Sequence, residues 1–253
     1  MSDYLPSVDE HLQVAYAEQY KNHDIHWRMM GAKCKVNNIL AVCRGITFTK
    51  VLEVGCGDGA ILYYLDAVHF APELHAVDIS ATGIQFLQKR NLPSLKSAQV
   101  FDGYRLPFQD NEFDLVILSH VLEHVEFERI LLREIKRVSR FQVIEIPRDY
   151  RYGVDCRLSH FLGYGHINLY TPSSFRFLLL SEHFRVLKDR YTIIPMFILS
   201  YMNQHKSWLY RLKSFIEFGV RNFLFCCTTT RLKAYFSQAY TVLVTSENEK
   251  NPS

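Results

Sequence analysis

With 253 residues, 48% of them apolar and 22% charged, the chain can bury a sizeable core and is far from the composition of a disordered segment or a fibre. Its net charge of +3 comes from basic and acidic residues mixed along most of the chain, which gives no nucleic-acid footprint. The six cysteines (Cys34, Cys43, Cys56, Cys156, Cys226, Cys227) include no Cys-x-x-Cys pair, which argues against a zinc ribbon or a thioredoxin-like site and suits free thiols in a reducing cytosol.

Met1 to Glu10 is polar and acidic and lacks the layout of a signal peptide. The most apolar run, Ile193 to Tyr201, contains Pro195 and is about half of the roughly 20 residues a spanning helix needs, so a cytoplasmic protein is expected. Leu12 to Val42 has a helical pattern and is expected to form a cap over residues 1–48 ahead of a sheet. From Thr49 onward, strands over Lys50–Val54, Leu74–Asp78, Ala98–Phe101, Phe113–Leu118 and Phe141–Ile146 alternate with helices over Ala60–Val68, Ala81–Arg90 and Phe127–Val138. Such alternation implies an α/β domain, here 49–253, with a mostly parallel sheet and helices on both faces. Thr171 as cap and Pro172 in the first position start a helix to about His183, followed by strands over Phe184–Ile194 and Ala239–Val244. Residues 195–237 between those strands are helical in pattern and rich in aromatic and basic side chains, too long a stretch for a simple turn. This helical insertion has three readings: helices packed on the core, a lid over an apolar acceptor, or an amphipathic surface for peripheral membrane contact, the last the weakest.

The informative stretch is Val51-Leu-Glu-Val-Gly55-Cys-Gly57-Asp-Gly59-Ala60, an apolar strand entering a glycine loop and then a helix. Glycines let the backbone turn sharply and admit a ligand closely, and a helix N-terminus favours a negative group. A glycine loop alone also satisfies the dinucleotide fingerprint of an NAD-dependent oxidoreductase. Glu53 within the first strand, Asp78 at the end of the second and Asp102-Gly103 after the third add the acceptors that a nucleoside lying across the strand ends requires.

Taken with Ala76-Val-Asp78-Ile-Ser80, Asp102-Gly-Tyr-Arg-Leu-Pro-Phe108 and Phe113-Asp-Leu-Val-Ile-Leu-Ser-His-Val-Leu-Glu-His-Val125, the glycine loop resembles the class I S-adenosylmethionine-dependent methyltransferases of the type 11 group. The likeness spans roughly residues 49 to 147. It implies a Rossmann-like seven-stranded sheet whose last strand is antiparallel. By the same resemblance Glu53, Gly55, Cys56, Gly57 and Gly59 shape the pocket for the methionine part of S-adenosylmethionine. Asp78 and Ile79 meet the ribose, Asp102 and Gly103 the adenine, and Ser119 and His120 lie beside the sulfonium. Tyr20, Trp27 and Arg28 are candidates to close over the cofactor.

A methyl sulfonium is already activated, so no nucleophile motif is expected, and a base is needed only where the acceptor must lose a proton. Candidates on the side of a small-molecule acceptor are His120, Glu123 and His124, then Arg148, Asp149 and Tyr150, then His166, Asn168 and Tyr170. Of these, His120, His124 and His166 are the expected catalytic residues. His120 and His124 share a face if their segment is helical. His124 also has a bland reading as a helix cap, and Gly163–Pro172 one as a turn into the next helix. Cys156, His160 and His166 with Asp155 match no standard metal spacing, so no metal is expected. A methyltransferase-like module without catalysis is the alternative.

Overall fold

The computed structural model describes residues 24–149 and 165–246. Helix α1 (Ile25–Val42) precedes an alternating series: β1 (Lys50–Val54), α2 (Ala60–Ala67), β2 (Glu73–Asp78), α3 (Ala81–Lys89), β3 (Leu95–Val100), β4 (Phe113–Ser119), α4 (Glu128–Val138) and β5 (Ser139–Pro147). Beyond residue 164 come α5 (Pro172–Ser181), β6 (Phe184–Thr192), α6 (Met196–Met202), α7 (Trp208–Cys227), α8 (Thr230–Phe236) and β7 (Ala239–Ser246). The seven strands form one sheet in the order β3-β2-β1-β4-β5-β7-β6, and β7 runs antiparallel to both of its neighbours.

Period-two alternation divides the core between the two faces of the sheet. Leu52, Val54, Val116, Leu118, Ile144 and Ile146 pack with Leu131 and Ile135 of α4 and Phe175 and Leu179 of α5. Val51, Leu115, Ile117 and Val143 face the other way, toward α1, α2 and α3 through Val36, Ile39, Leu62 and Leu87. The third strand starts three residues before the expected Ala98, because its inner half is only partly buried and carries no clean alternation. The Thr171 cap is present as a capping box with Ser174 and with Pro172 in the first turn. The Leu12–His23 part of the expected first helix lies outside the described residues.

Helices α4 and α5 are tied together at Glu182, the buried C-cap of α5. Arg129 Nη1 and Arg133 Nε meet its carboxylate at 2.6 and 2.8 Å, and Lys136 Nζ donates to its carbonyl at 2.6 Å. The Arg133 and Arg129 hydrogen bonds outweigh burial and hold the Glu182 carboxyl below the usual glutamate range. A carboxylate depressed on folding stabilises above its unfolded value, near pH 4.3, and that contribution is lost as pH falls through the folded value. Glu182→Gln is therefore expected to cost about 1 kcal/mol at pH 7 and to flatten the acid limb of stability below about pH 4.5. Urea denaturation of both proteins at pH 7 and pH 3.5 checks it: an equal difference at the two pH values refutes the assignment.

Candidate functional site

The order β3-β2-β1-β4 reverses direction at β1, and in open α/β sheets ligands bind at such a switch point, beyond the carboxyl ends of the strands. A cleft of about 1240 Å³ opens there. Its floor is the loop after β1. Gly55 N and Cys56 N donate to Val77 O at 2.8 and 3.2 Å, which folds the loop back over β2. Gly59 caps α2 with φ +75, where a Cβ would stand 2.2 Å from Leu87 Cδ1. Asp58 in the same loop is held by Arg90, with Nη2 to Oδ2 at 2.7 Å and Nε to the carbonyl at 2.6 Å.

Two acidic side chains frame this floor. Glu53 is 2% exposed, and its Oε2 accepts no hydrogen bond among the described residues. Burial pushes its carboxyl well above the usual range, against the nearby charge of Lys35. Asp78 accepts from Gly57 N at 2.7 Å through Oδ2 and from Ser80 N at 2.8 Å through Oδ1. Burial raises its carboxyl, opposed by the N–H groups of Ser80 and Gly57. Each oxygen keeps a lone pair for a further donor.

Glu53, Gly55, Cys56, Gly57, Asp78, Ile79, Gly103, Ser119 and His120 all line the cleft, as do Trp27 and Arg28 of α1. Gly59 does not: it is buried under Leu87 and shapes the loop from behind. Asp102 departs from the expected placement. It is exposed and outside the cleft wall, because its Oδ1 accepts from Tyr104 N at 2.8 Å and Arg105 N at 2.7 Å and so closes its own turn. Tyr20 and Tyr150 lie outside the described residues, as do Cys156, His160 and Asp155.

The far wall carries a dense group of titratable side chains. Residues Leu122–His124 form a single 3₁₀ turn, so His120 and His124 do not share an α-helical face as the spacing suggested. His120, with φ +58, precedes the turn, and both rings instead flank Glu123: His120 Nδ1 is 3.5 Å and His124 Nε2 3.9 Å from Glu123 Oε1. His120 Nε2 lies 3.2 Å from Oε1 of Glu145. Glu145 is buried and also receives Asn38 Nδ2 at 2.8 Å and Thr241 Oγ1 at 2.5 Å. Burial works against its charge, but His120, Lys35 and Thr241 outweigh that and hold its carboxyl below the usual range.

The 165–170 segment clamps this turn. Ile167 N and Asn168 N donate to Glu123 O, and Asn168 Nδ2 donates to Leu122 O at 3.0 Å and Val125 O at 2.7 Å. Asn168 is thus a brace outside the cleft wall and Tyr170 a core residue against Phe175, whereas His166 lines the cleft beside Asp149, its Nδ1 2.5 Å from Oδ2. Burial works against the charged His166 imidazole, but the Asp149 hydrogen bond and the charges of Glu123 and Asp149 together outweigh it and raise the group, while burial lowers that of His124. Arg148 is 5% exposed on the same wall; Nη2 donates to Ala234 O at 2.6 Å, and among the described residues neither Nε nor Nη1 has a hydrogen-bond partner.

Sequence reasoning missed Glu145, Asn38 and Lys35. The signal for Glu145 was an acidic residue inside the apolar strand Phe141–Ile146, the same anomaly that singled out Glu53 in β1. Nothing local marked Asn38 or Lys35, which reach the site because α1, packed on one face of the sheet, borders the cleft.

Residues 52–142 match a family model described as a methyltransferase domain. The chain carries a class I S-adenosylmethionine-dependent methyltransferase domain. The domain is 33% identical over 111 residues to a probable phthiotriol/phenolphthiotriol dimycocerosates methyltransferase 2 of Mycobacterium ulcerans, a match covering 43% of each chain. The aligned part is thus less than half of that relative's length. In fold it is similar to a chain of the complex between the Haloferax volcanii Trm112 methyltransferase activator and a methyltransferase, with TM-score 0.65 at 15% identity over 97% of this chain and all of the other. It is also similar to phosphoethanolamine N-methyltransferase 2 of Haemonchus contortus in complex with S-adenosyl-L-methionine, with TM-score 0.61 at 13% identity over 85% of this chain and 52% of the other. The family assignment displaces the nicotinamide reading that the glycine loop alone left open. Among the described residues, no helix is long and apolar enough to cross a membrane.

Proposed function

We propose that this domain binds S-adenosylmethionine and methylates a small-molecule acceptor at oxygen or nitrogen. The observation that carries the reading is that the Glu53, glycine-loop and Asp78 wall opens into the same cleft as the His120, Glu123, His124 and His166 group. The residues fit the cofactor. The unpartnered, buried Oε2 of Glu53 suits its ammonium, the loop without Cβ atoms leaves room for its amino-acid tail, and the two oxygens of Asp78 suit the ribose hydroxyls. Gly103, rather than the side chain of Asp102, presents the backbone at the adenine end.

When bound, the cofactor supplies a methyl group already activated on a sulfonium. The chain's share is to align the acceptor and exclude water, which can be worth about 7 to 11 kcal/mol in favourable cases. His120, held between Glu145 and Glu123, is placed to take a proton from an acceptor hydroxyl or amine. The buried guanidinium of Arg148 favours an acceptor with a carboxylate or phosphate.

Calorimetric titration with S-adenosylhomocysteine tests the binding half: no heat and no thermal shift at millimolar ligand ends the proposal. Radiolabelled S-adenosylmethionine incubated with a metabolite extract tests the transfer half, with a labelled product that anion-exchange resin retains as the expected outcome. His120→Ala should slow that transfer by about 100-fold or more, the usual weight of a general base, and an undiminished rate removes His120 from the mechanism. Persistent absence of transfer with intact binding identifies a non-catalytic module.

A further inference from the structure

Glu123 is 1% exposed, yet among the described residues neither carboxylate oxygen accepts a hydrogen bond; imidazole nitrogens of His120 and His124 stand at 3.5 and 3.9 Å. A buried carboxylate left so is costly unless something else satisfies it. Two imidazoles converge on it. His124 is fixed through Nδ1, 3.0 Å from Gly165 O, which turns Nε2 toward Glu123 Oε1. His166 is fixed through Nδ1 by Asp149 at 2.5 Å. One ligand atom from each of Glu123, His124 and His166 falls within a sphere of contacts no wider than 4.8 Å.

A ring held at Nδ1 by a carbonyl or carboxylate is the usual support of a metal-ligating histidine, because it sets the tautomer and leaves Nε2 to the ion. At bond lengths of about 2.0–2.2 Å the donor atoms of a tetrahedral site stand about 3.4 Å apart, so small side-chain rotations close this cluster around a cation. We infer that Glu123, His124 and His166 form a site for one divalent transition-metal cation of the zinc, cobalt or manganese class. Two nitrogens and one carboxylate with cleft on the remaining side leave a coordination position for a donor atom of the acceptor. The inference deepens the functional reading and rests on it for the acceptor's place, although the site stands on these three residues alone. It departs from the expectation from spacing that no metal binds, which considered His166 only with Cys156, His160 and Asp155.

The test uses the full chain, stripped with EDTA. Titration with Zn²⁺ by calorimetry is expected to show one equivalent bound, and Co²⁺ to give visible ligand-field bands without the intense near-ultraviolet band of a cobalt–thiolate, which excludes Cys226 and Cys227. His166→Gln and Glu123→Gln should each weaken Zn²⁺ binding by more than 100-fold while circular dichroism and S-adenosylhomocysteine affinity stay unchanged. Wild-type protein that binds S-adenosylhomocysteine but not Zn²⁺ overturns the metal site and leaves the methyltransferase reading standing. Zn²⁺ binding without S-adenosylhomocysteine binding does the reverse. Equal Zn²⁺ affinity in both variants also overturns the site, and if wild type binds neither ligand, both readings fall.

The outer face of α7 supports a separate proposal. This 20-residue helix has no buried residue. At 100° per residue Trp208, Leu212, Phe215, Ile216, Val220 and Phe223 share one arc, and each is more than half exposed or at the half-way mark, from 50% for Leu212 to 71% for Trp208. Ser214, Phe218, Arg221 and Phe225 lie on the opposite, half-buried side, where Ser214 Oγ accepts from Asn203 Nδ2 at 2.8 Å. The apolar arc of α7 therefore points to solvent, whereas α6 of the same insertion packs inward through the buried Ile198. Residues 196–236 carry Lys206, Arg211, Lys213, Arg221, Arg231 and Lys233 against the single acid Glu217.

An aromatic apolar face set among basic side chains matches the surface of an anionic bilayer, on which such a helix lies flat. We propose that α7 docks the chain on anionic membranes. Co-sedimentation with vesicles of phosphatidylglycerol and phosphatidylcholine should pellet the protein, with more than tenfold weaker binding to phosphatidylcholine alone and in the Phe215→Ser/Phe223→Ser variant. No pelleting, pelleting indifferent to lipid charge, or a solution dimer by light scattering that the double variant dissociates each overturns it, the dimer in favour of a second copy of this chain.

Discussion

Asp78→Ala is expected to lower the affinity for S-adenosylhomocysteine by about 100-fold or more. A hydrogen bond to a charged group contributes about 1.5–3 kcal/mol, and two hydroxyls on one carboxylate sum to about 3–6 kcal/mol, with each 1.4 kcal/mol worth a factor of ten. The substitution also removes the acceptor of Gly57 N and Ser80 N, so the glycine loop loses its anchor to β2 and the melting temperature should fall as well. Asp78→Asn separates the two effects, since its one carbonyl oxygen retains part of the anchor while the charge is lost. Calorimetry on both variants, alongside circular dichroism, is the check. Undiminished affinity in a folded Asp78→Ala protein places the ribose elsewhere and removes the main support for the cofactor reading.

Gly59→Val should lower the melting temperature by on the order of 10 °C. Gly59 sits at φ +75, a conformation that costs a side chain with a Cβ about 1–2 kcal/mol, and its Cβ would press on Leu87, which is wholly buried beneath it. Overpacking a filled core costs about 1–3 kcal/mol more. For a domain of this size each kcal/mol shifts the midpoint by about 2–4 °C. Gly219→Ala is the control, because nothing lies within 4 Å of a Cβ there and an exposed helix interior prefers alanine. Scanning calorimetry should rank Gly219→Ala at or above wild type and Gly59→Val far below it; equal midpoints would mean that the loop does not bear on α3 as described.

These two positions also show how far the reading of residues could go. Gly59 and Asp78 were legible because their roles depend on neighbours within one strand–loop–helix unit: the turn demands the glycine, and the strand end places the acid at the rim. The same logic found Glu53, Gly55 and the Thr171 cap. It did not foresee that Asp102 closes its own turn, with Oδ1 accepting from the backbone N–H groups of Tyr104 and Arg105. A shared face for His120 and His124 required a helical segment, whereas a tight 3₁₀ turn sets them around Glu123.

Hydrophobic periodicity and turn chemistry, both short-range properties, thus sufficed for the strands, the helices and the glycine cradle. Which polar side chains meet across the cleft depended on chain segments far apart in sequence, as where Asn38, Glu145 and Thr241 join across separations of 107 and 96 residues. Periodicity marks that α7 has an apolar side but cannot say whether that side turns inward, because the choice belongs to the surrounding packing, and here the sheet's two faces are already filled by other helices.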